Sequence, residues 1–405
     1  MMCQVLDITR TISRVGRGFP TGIDRVERAY IKAFLKRFQN AFFLAKLTKT
    51  YVLINANTMG AFVDADFGAS LGNRIGLNDL IRMKLPKRQR CARSFLRNNA
   101  GKMFMVRSAK NVLSRHFPNG FEYTNVGHSN LNENFLRQLK PAGCSHIRIM
   151  IHDMIPLDFP QYCKDNIPEN FRIKMQSIAA VSDTVICNSE YTKSRVQSYF
   201  KNWPNNVSFK VAYLGTEKEF NSKPIKKTSP ASFIILGTIE RRKNHSFLLD
   251  VWEELLKFVP ENEMPVLHIV GKRGWKNDAF FERLEKTPLL GKNIVEHSAL
   301  NDNELNLLMS SASGLLFPSF VEGYGLPALE ATAVGLPVIC SDIPIFKELL
   351  GTDVQVLPTD DCKKWVRQIL ELMNNSLNKV TLDRKKVRKT SIPQWSTHFS
   401  HIFEE

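Results

Sequence analysis

Short apolar runs alternate along this chain with longer segments in which apolar residues recur every third or fourth position. Val5 to Thr9, Thr50 to Asn55, Ile147 to Ile151 and Thr184 to Cys187 read as strands in the first half, and Phe233 to Leu236, Val266 to Val270, Leu315 to Phe317 and Val338 to Cys340 in the second. Brief, almost wholly apolar runs are what strands covered on both faces look like. The intervening segments carry helical stripes: Ile23, Val26, Tyr30 and Phe34; Leu305, Leu308 and Met309; Trp365, Ile369, Leu372 and Met373; Trp395, Phe399, Ile402 and Phe403. Capping signals stand where these stripes begin. Thr21 with Asp24 is close to a capping box, Ser189 precedes a helix from Glu190 to Phe200, and Asn301 to Glu304 opens another. Strands alternating with helices in both halves predict two doubly wound, Rossmann-like α/β domains. The polar, breaker-rich stretch 217–230 reads as the linker between a first domain, 1–216, and a second, 231–389.

Composition fits this picture. A chain of 405 residues is long enough for two ordinary domains, and 43% hydrophobic with 10% aromatic residues suffices for two cores. Apolar runs such as Ala41 to Leu47 are too short to cross a bilayer. The opening MMCQVLDITR lacks the basic-then-apolar order of a signal peptide, so a cytoplasmic protein is expected. The seven cysteines are scattered without a C-x-x-C pair, which fits reduced thiols. Neither the nine histidines nor the D-x-D at Asp64 and Asp66 has metal-site spacing or context, so no metal is expected.

Charge changes the picture in one place. Eleven Lys or Arg lie between Arg82 and Arg115 with no Asp or Glu among them, out of a net charge of +17. Arg90, Arg93 and Arg97 fall at helical spacing with aromatic and aliphatic residues interleaved. Three readings stay open: a solvated face, a surface for anionic membrane, and a nucleic-acid site, the last without any accompanying motif. No nucleic acid is expected.

The candidate chemistry centres on Gly314 to Asp342. This run reads as strand, loop, helix, strand, with Pro327 placed for the first turn of the helix. Glu322 before the helix and Glu330 inside it flank a run of backbone N–H groups at Gly325 and Leu326, where anions bind readily. Two acids beside a phosphate site suit a ligand with hydroxyl groups on both sides of its phosphates. In the same half, Arg242 and Lys243 follow a strand that ends in Gly237. Cations sit badly at a helix start unless an anion joins them. In the first half a glycine-rich turn, Arg10 to Gly22, follows the first strand. It is either a ligand loop with Gly22 approaching a diphosphate or a plain loop.

These segments carry a resemblance. FPSFVEGYGLPALEATAVGLPVICSD is similar to the E-x7-E motif of retaining glycosyltransferase family 4, also called the group 1 glycosyltransferases, in its form FPSxxEGFGLPxLEAMAxGxPVIxSD. Tyr324 and Thr332 replace the usual Phe and Met. GTIERRKNH resembles the family's GTIEPRKNH, with Arg241 in place of Pro. The first half resembles one branch of that family at DITRLxxRxGRGxPTGIDRVExAY, at YLNVGHxNL around His128, and at HDxIPxxxP around His152 and Asp153. The resemblance implies the GT-B fold, two such domains facing a cleft, with a C-terminal helix at about 390–405 crossing back onto the first. It implies transfer of a hexose from a nucleotide-diphosphate sugar to a glycan or lipid-linked hydroxyl in cell-surface polysaccharide synthesis, with retained configuration and no metal or cofactor. Mannose is the sugar the family suggests. By the same resemblance His152 and Glu322 contact the donor sugar as catalytic residues. Gly22, Arg242, Lys243, Gly325 and Leu326 hold the diphosphate, and Glu330 holds the ribose. His128 and Asp153 are acceptor-side candidates, with packing or loop-holding as their other reading. Alternative functions are a nucleotide-sugar epimerase of the same fold and a non-enzymatic sugar-nucleotide-binding protein docked to membrane. A glycoside hydrolase, which also uses two carboxylates, ranks lower because it needs no phosphate-binding cations. The basic stretch extends the expected location to the inner face of the membrane.

Overall fold

The computed structural model of the chain describes residues 2–216, 230–298, 300–351, 354–377 and 392–404. The expected linker lies outside the described residues apart from Pro230, as does the end of the expected second domain. The chain falls into two compact units. One comprises Met1–His152, Glu169–Leu214 and Ser396–Glu405; the other comprises Asp153–Pro168 and Gly215–Trp395. The segment Asp153–Pro168 thus groups with the second unit, although a boundary at 216 assigns it to the first.

The first unit is built on strands β1 Cys3–Asp7, β2 Ala41–Leu47, β3 Thr50–Asn55, β4 Lys102–Met105, β5 Phe121–Asn125, β6 Cys144–Ile151, β7 Thr184–Cys187 and β8 Ser208–Val211. Their order is β4-β3-β2-β1-β5-β6-β7-β8. All neighbours are parallel except β2–β3 and β3–β4. Strand order reverses between β1 and β5, so the carboxyl ends of these two strands flank a crevice of the kind that binds ligands in open α/β sheets. The helix Gly22–Arg37 starts with the anticipated capping box of Thr21 and Asp24. Ser189 caps Glu190–Phe200 by accepting the Thr192 N–H. The loop expected from Arg10 to Gly22 instead begins with a helix, Thr9–Arg14. Asp7 Oδ1 accepts the Thr9 N–H at 2.9 Å and starts this turn, and Ile12 anchors it in the core. Six residues are too few for a periodic pattern to show.

The helix Trp395–Phe403 packs on this unit. His398 Nδ1 lies 3.1 and 3.0 Å from the carbonyls of Ala212 and Tyr213, so Nδ1 carries the proton and Nε2 accepts from Tyr30 Oη at 2.8 Å. Phe399 meets the Tyr30 ring edge-on at 5.0 Å and Phe403 meets Phe34 at 5.6 Å.

The basic stretch is not one surface. Asp79, fully buried, accepts from Arg93 Nε at 2.7 Å and Arg97 Nε at 3.2 Å, with Arg82 Nε at 3.9 Å. Three of the eleven cations therefore turn inward onto an acid that lies just upstream of the stretch. This ion cluster ties Leu77–Leu80 to the helix Lys87–Asn98.

The second unit holds β9 Ser232–Leu236, β10 Val266–Val270, β11 Ile294–His297, β12 Gly314–Phe317, β13 Val338–Ser341 and β14 Gln355–Leu357. All pairs are parallel in the order β11-β10-β9-β12-β13-β14. Order reverses between β9 and β12, which gives this sheet its own switch point. Its core gathers Phe233, Trp252, Leu316, Trp365 and Ile369. The segment Asp153–Pro168 joins this unit where Tyr162 O accepts the Trp275 Nε1–H at 3.2 Å and Lys276 meets Asp165 at 2.9 Å.

Candidate active site

The β9/β12 switch point assembles four charges, three of them buried, from two short stretches. After β9, the chain turns at Gly237, whose φ of +138° only glycine adopts readily, and reaches the one-turn helix Arg241–Lys243. After β12 it reaches Ser319 and Glu322. Glu322 Oε1 accepts from Lys243 Nζ at 2.5 Å and Ser319 Oγ at 2.6 Å, and Oε2 accepts from Arg242 Nη1 at 2.9 Å. Arg242 Nε pairs with Glu240 at 2.6 Å, while Nη1 also donates to the Val321 carbonyl at 3.1 Å. Lys243 Nζ sits 4.3 Å over the Phe317 ring. Glu240, Lys243 and Glu322 are each buried.

Two acids and two bases balance, which is how four charges can share an interior. Burial would raise the Glu322 pKa, but Lys243 and Arg242 outweigh it and bring it down to about 2. Burial works against the charge of Arg242, yet Glu322 and Glu240 hold it above the ordinary arginine range. Burial pulls Lys243 down despite Glu322 beside it. Glu322 is thus a fixed carboxylate, unsuited to give or take protons near neutrality. Its Oε2 retains a lone pair for a hydroxyl donor.

The helix Leu326–Ala333 begins at Gly325, whose φ is +88° and where a Cβ would meet Phe346 Cε1 at 2.6 Å. Leu326 is its first residue and Glu330 lies inside it, both buried. Asp153 joins this side of the molecule: a Cβ on Gly323 would lie 2.9 Å from Asp153 Oδ2. Asp153 Oδ1 accepts the Ile155 N–H at 3.0 Å, so the acid also shapes its own loop. Burial raises its pKa and Arg242 partly offsets this.

The remaining candidates, Gly22, His128 and His152, lie in the first unit around the ends of β1, β5 and β6. Gly22 is the exposed first residue of its helix. Asp24, in the same first turn, is bound by Arg10 at 2.6 Å and Arg14 at 3.1 Å. His152 Nε2 lies 2.7 Å from the Val126 carbonyl, so it carries the proton and leaves Nδ1 as an acceptor. Burial lowers the pKa of His152 to about 4, so the ring is neutral near pH 7. The His152 backbone N–H reaches His128 Nε2 at 3.4 Å, and the two rings meet edge-on at 4.9 Å. Burial, then His152, push the His128 pKa well below the ordinary value. His128 thus braces the end of β6.

Sequence reasoning passed over Glu27, Glu240 and Ser319. Glu27 accepts the Thr11 N–H at 2.7 Å, and burial pushes its pKa up to about 8. A Cβ on Gly127 would fall 1.9 Å from Glu27 Oε2, so Gly127 is required before His128. Glu240 stands within the Arg-Lys motif and Ser319 three residues before Glu322; each was legible as a polar residue beside a candidate, but its partner was not.

Residues 216–390 match the family model of the glycosyl transferases group 1. The chain is 32% identical over 217 residues to the serotype-specific mannosyltransferase WbdA of Escherichia coli, covering 49% of this chain and 26% of that one. It is 28% identical over 220 residues to the O-antigen chain mannosyltransferase RfbU of Salmonella typhimurium, covering 54% and 58%. The chain therefore spans about a quarter of WbdA. Among solved structures, Anabaena HepE in complex with UDP and glucose superposes with a TM-score of 0.63 at 13% identity, over 100% of this chain and 99% of that one. Sucrose-phosphate synthase from Thermosynechococcus elongatus gives 0.62 at 14% identity, over 99% and 97%. At such identities the likeness shows the fold, which is GT-B.

Proposed function

Because residues 216–390 match the family model of the glycosyl transferases group 1, we propose that this chain is a retaining, metal-independent hexosyltransferase. It moves mannose from a nucleotide-diphosphate sugar to a hydroxyl of a glycan or lipid-linked acceptor in cell-surface polysaccharide synthesis. The observation that carries the reading is the balanced cluster of Glu240, Arg242, Lys243 and Glu322 at the β9/β12 switch point. A leaving nucleoside diphosphate gains negative charge as the glycosidic bond breaks, and fixed cations stabilise that charge without reorganising. Arg242 and Lys243 each carry N–H groups beyond the ones bonded to Glu322. The start of the helix at Gly325 and Leu326 adds backbone N–H groups. Glu322 holds both cations in place and offers Oε2 to a hydroxyl of the donor sugar, while Glu330 takes the ribose. On the first unit, neutral His152 offers Nδ1 to a sugar hydroxyl, and Gly22 opens its helix to the diphosphate. The mannosyltransferase relatives support the choice of sugar.

A cytoplasmic enzyme docked on an anionic membrane fits the first unit. No helix among the described residues is long and apolar enough to cross a bilayer. Leu77, Ile81 and Met83 are 84%, 80% and 79% exposed, with Arg74, Lys84, Lys87 and Arg88 exposed around them. Apolar side chains that enter the headgroup boundary and cations that meet anionic lipid reinforce one another.

A thermal-shift screen across UDP-, GDP-, ADP- and dTDP-sugars tests the donor, since a ligand of the native state raises its melting temperature. GDP-mannose is expected to give the largest shift, and the shift to fall sharply in Arg242→Ala. Equal melting with all four classes and no ligand would refute the reading. Proton NMR of the product reports the anomeric configuration.

A further inference from the structure

We propose that the aromatic rings of Tyr162, Phe320 and Trp275 form a stacking platform for a neutral sugar ring of the acceptor glycan; the assignment rests on the transferase reading above. All three belong to the second unit. Tyr162 and Phe320 are parallel to within 1° with centroids 5.9 Å apart, and Phe159 continues the array at 25° and 6.2 Å. Phe320 and Trp275 are each 41% exposed, although large aromatics ordinarily bury most of their surface. Trp275 is fixed beside Tyr162 by the bond from its Nε1–H to the Tyr162 carbonyl.

Position and surroundings select the ligand. The Phe320 N–H donates to the Arg242 carbonyl at 2.8 Å, and the next carbonyl, Val321, accepts from Arg242 Nη1. The ring is therefore tied to the residue that grips Glu322, so a molecule lying on it stands next to the transfer site. A pyranose has an apolar C–H face and a rim of hydroxyls. It needs flat apolar rings with polar groups at their edges, as in most small-molecule sites. Lys164 Nζ stands 5.6 Å over the Trp275 ring, and the Lys276–Asp165 pair lies beside it. A lipid tail would strand those charges, whereas sugar hydroxyls would bond to them. The E-x7-E pattern leaves position 320 unspecified, which suits a residue that reads the particular acceptor.

The test is fluorescence titration of the full chain with α-mannotriose, with maltotriose as the second probe, run beside the nucleotide-sugar thermal shift. Saturable quenching of tryptophan emission by α-mannotriose is expected. Phe320→Leu, which keeps apolar bulk but removes the ring, should weaken that binding about tenfold. Its melting temperature and its shift with GDP-mannose should not change. Unchanged trisaccharide affinity in Phe320→Leu, or no quenching by either trisaccharide while GDP-mannose still shifts the melt, overturns the platform. Loss of the GDP-mannose shift in the wild-type chain instead overturns the transferase reading. Quenching by GDP alone, lost in Phe320→Leu, would make the platform a base site and also overturn the proposal.

Discussion

Replacing Glu322 by Gln keeps the shape of the side chain and removes its charge. In the native chain the carboxylate accepts three short bonds, from Lys243, Ser319 and Arg242. Its pKa lies at about 2 in place of the ordinary 4.5. A depression of that size corresponds to about 3 kcal/mol at neutral pH, at roughly 1.4 kcal/mol per unit. Glu322→Gln should therefore lose about 3 kcal/mol, the lower end of the range for breaking a buried pair from one side. Lys243→Met should cost a similar amount. The double variant removes one charge of each sign and should stand within about 1–2 kcal/mol of wild type, a coupling of roughly 4–5 kcal/mol. Urea unfolding followed by tryptophan emission measures this, because Trp252 and Trp365 are fully buried in the core of that unit. The pH dependence gives a second signature. A carboxylate with a depressed folded pKa contributes stability that is present above its unfolded pKa and lost as pH falls toward the folded value. The gap between wild type and Glu322→Gln should thus be constant above about pH 5 and narrow by roughly 1 kcal/mol near pH 3.5. Additive single-variant effects, or a gap that ignores pH, would refute the account of a compensated buried cluster.

Other outcomes follow from separate sites. Asp79→Asn should destabilise the first unit by about 3–5 kcal/mol, because it leaves Arg93 and Arg97 without their buried acid; a urea midpoint within error of wild type would remove that role. Gly325→Ala should cost about 2 kcal/mol or more through the positive φ and the clash with Phe346, read by the same titration. Burial lowers both His152 and His398 to about 4. The unfolded chain then binds more protons than the folded one between about pH 6.5 and 4, so stability of the first unit should fall across that window. His398→Asn should flatten part of that slope, and an unchanged slope would count against it. Liposomes with anionic lipid should pellet the chain in a salt-sensitive way, and Ile81→Asp with Met83→Asp should abolish pelleting without altering nucleotide-sugar binding.

Much of this was legible in the sequence where the cause is local. The helix Glu190–Phe200 and the helix capped at Asn301 begin where their caps predict, because a cap acts over three residues. Strands β1, β3, β6, β7, β9, β10, β12 and β13 were visible as apolar runs, whereas β2 was read only as a run too short to cross a bilayer and β11 and β14 were not read as strands. What was hidden is pairing at a distance. Counting cations from Arg82 to Arg115 gave a basic surface, yet Asp79 draws three of them inward. Arg242 and Lys243 looked like bare phosphate ligands, yet Glu322, some eighty positions on, neutralises them jointly with Glu240. The pattern of side chains states which charges exist, and the strand order decides which of them meet.

The division of the chain into its two units has a consequence for how the protein is made. The backbone passes between them after His152, after Pro168, after Leu214 and again after Trp395. Tyr30 finds its partner in His398, which is synthesised 368 positions later. At about 5–20 residues per second, the ribosome needs on the order of ten to forty seconds to travel from Leu214 to Ser396. Through that interval the apolar faces of Tyr30 and Phe34 await the helix that covers them. The first unit to be translated is the last to be sealed, and a nascent chain stalled beyond Leu214 would present those faces to chaperones or proteases.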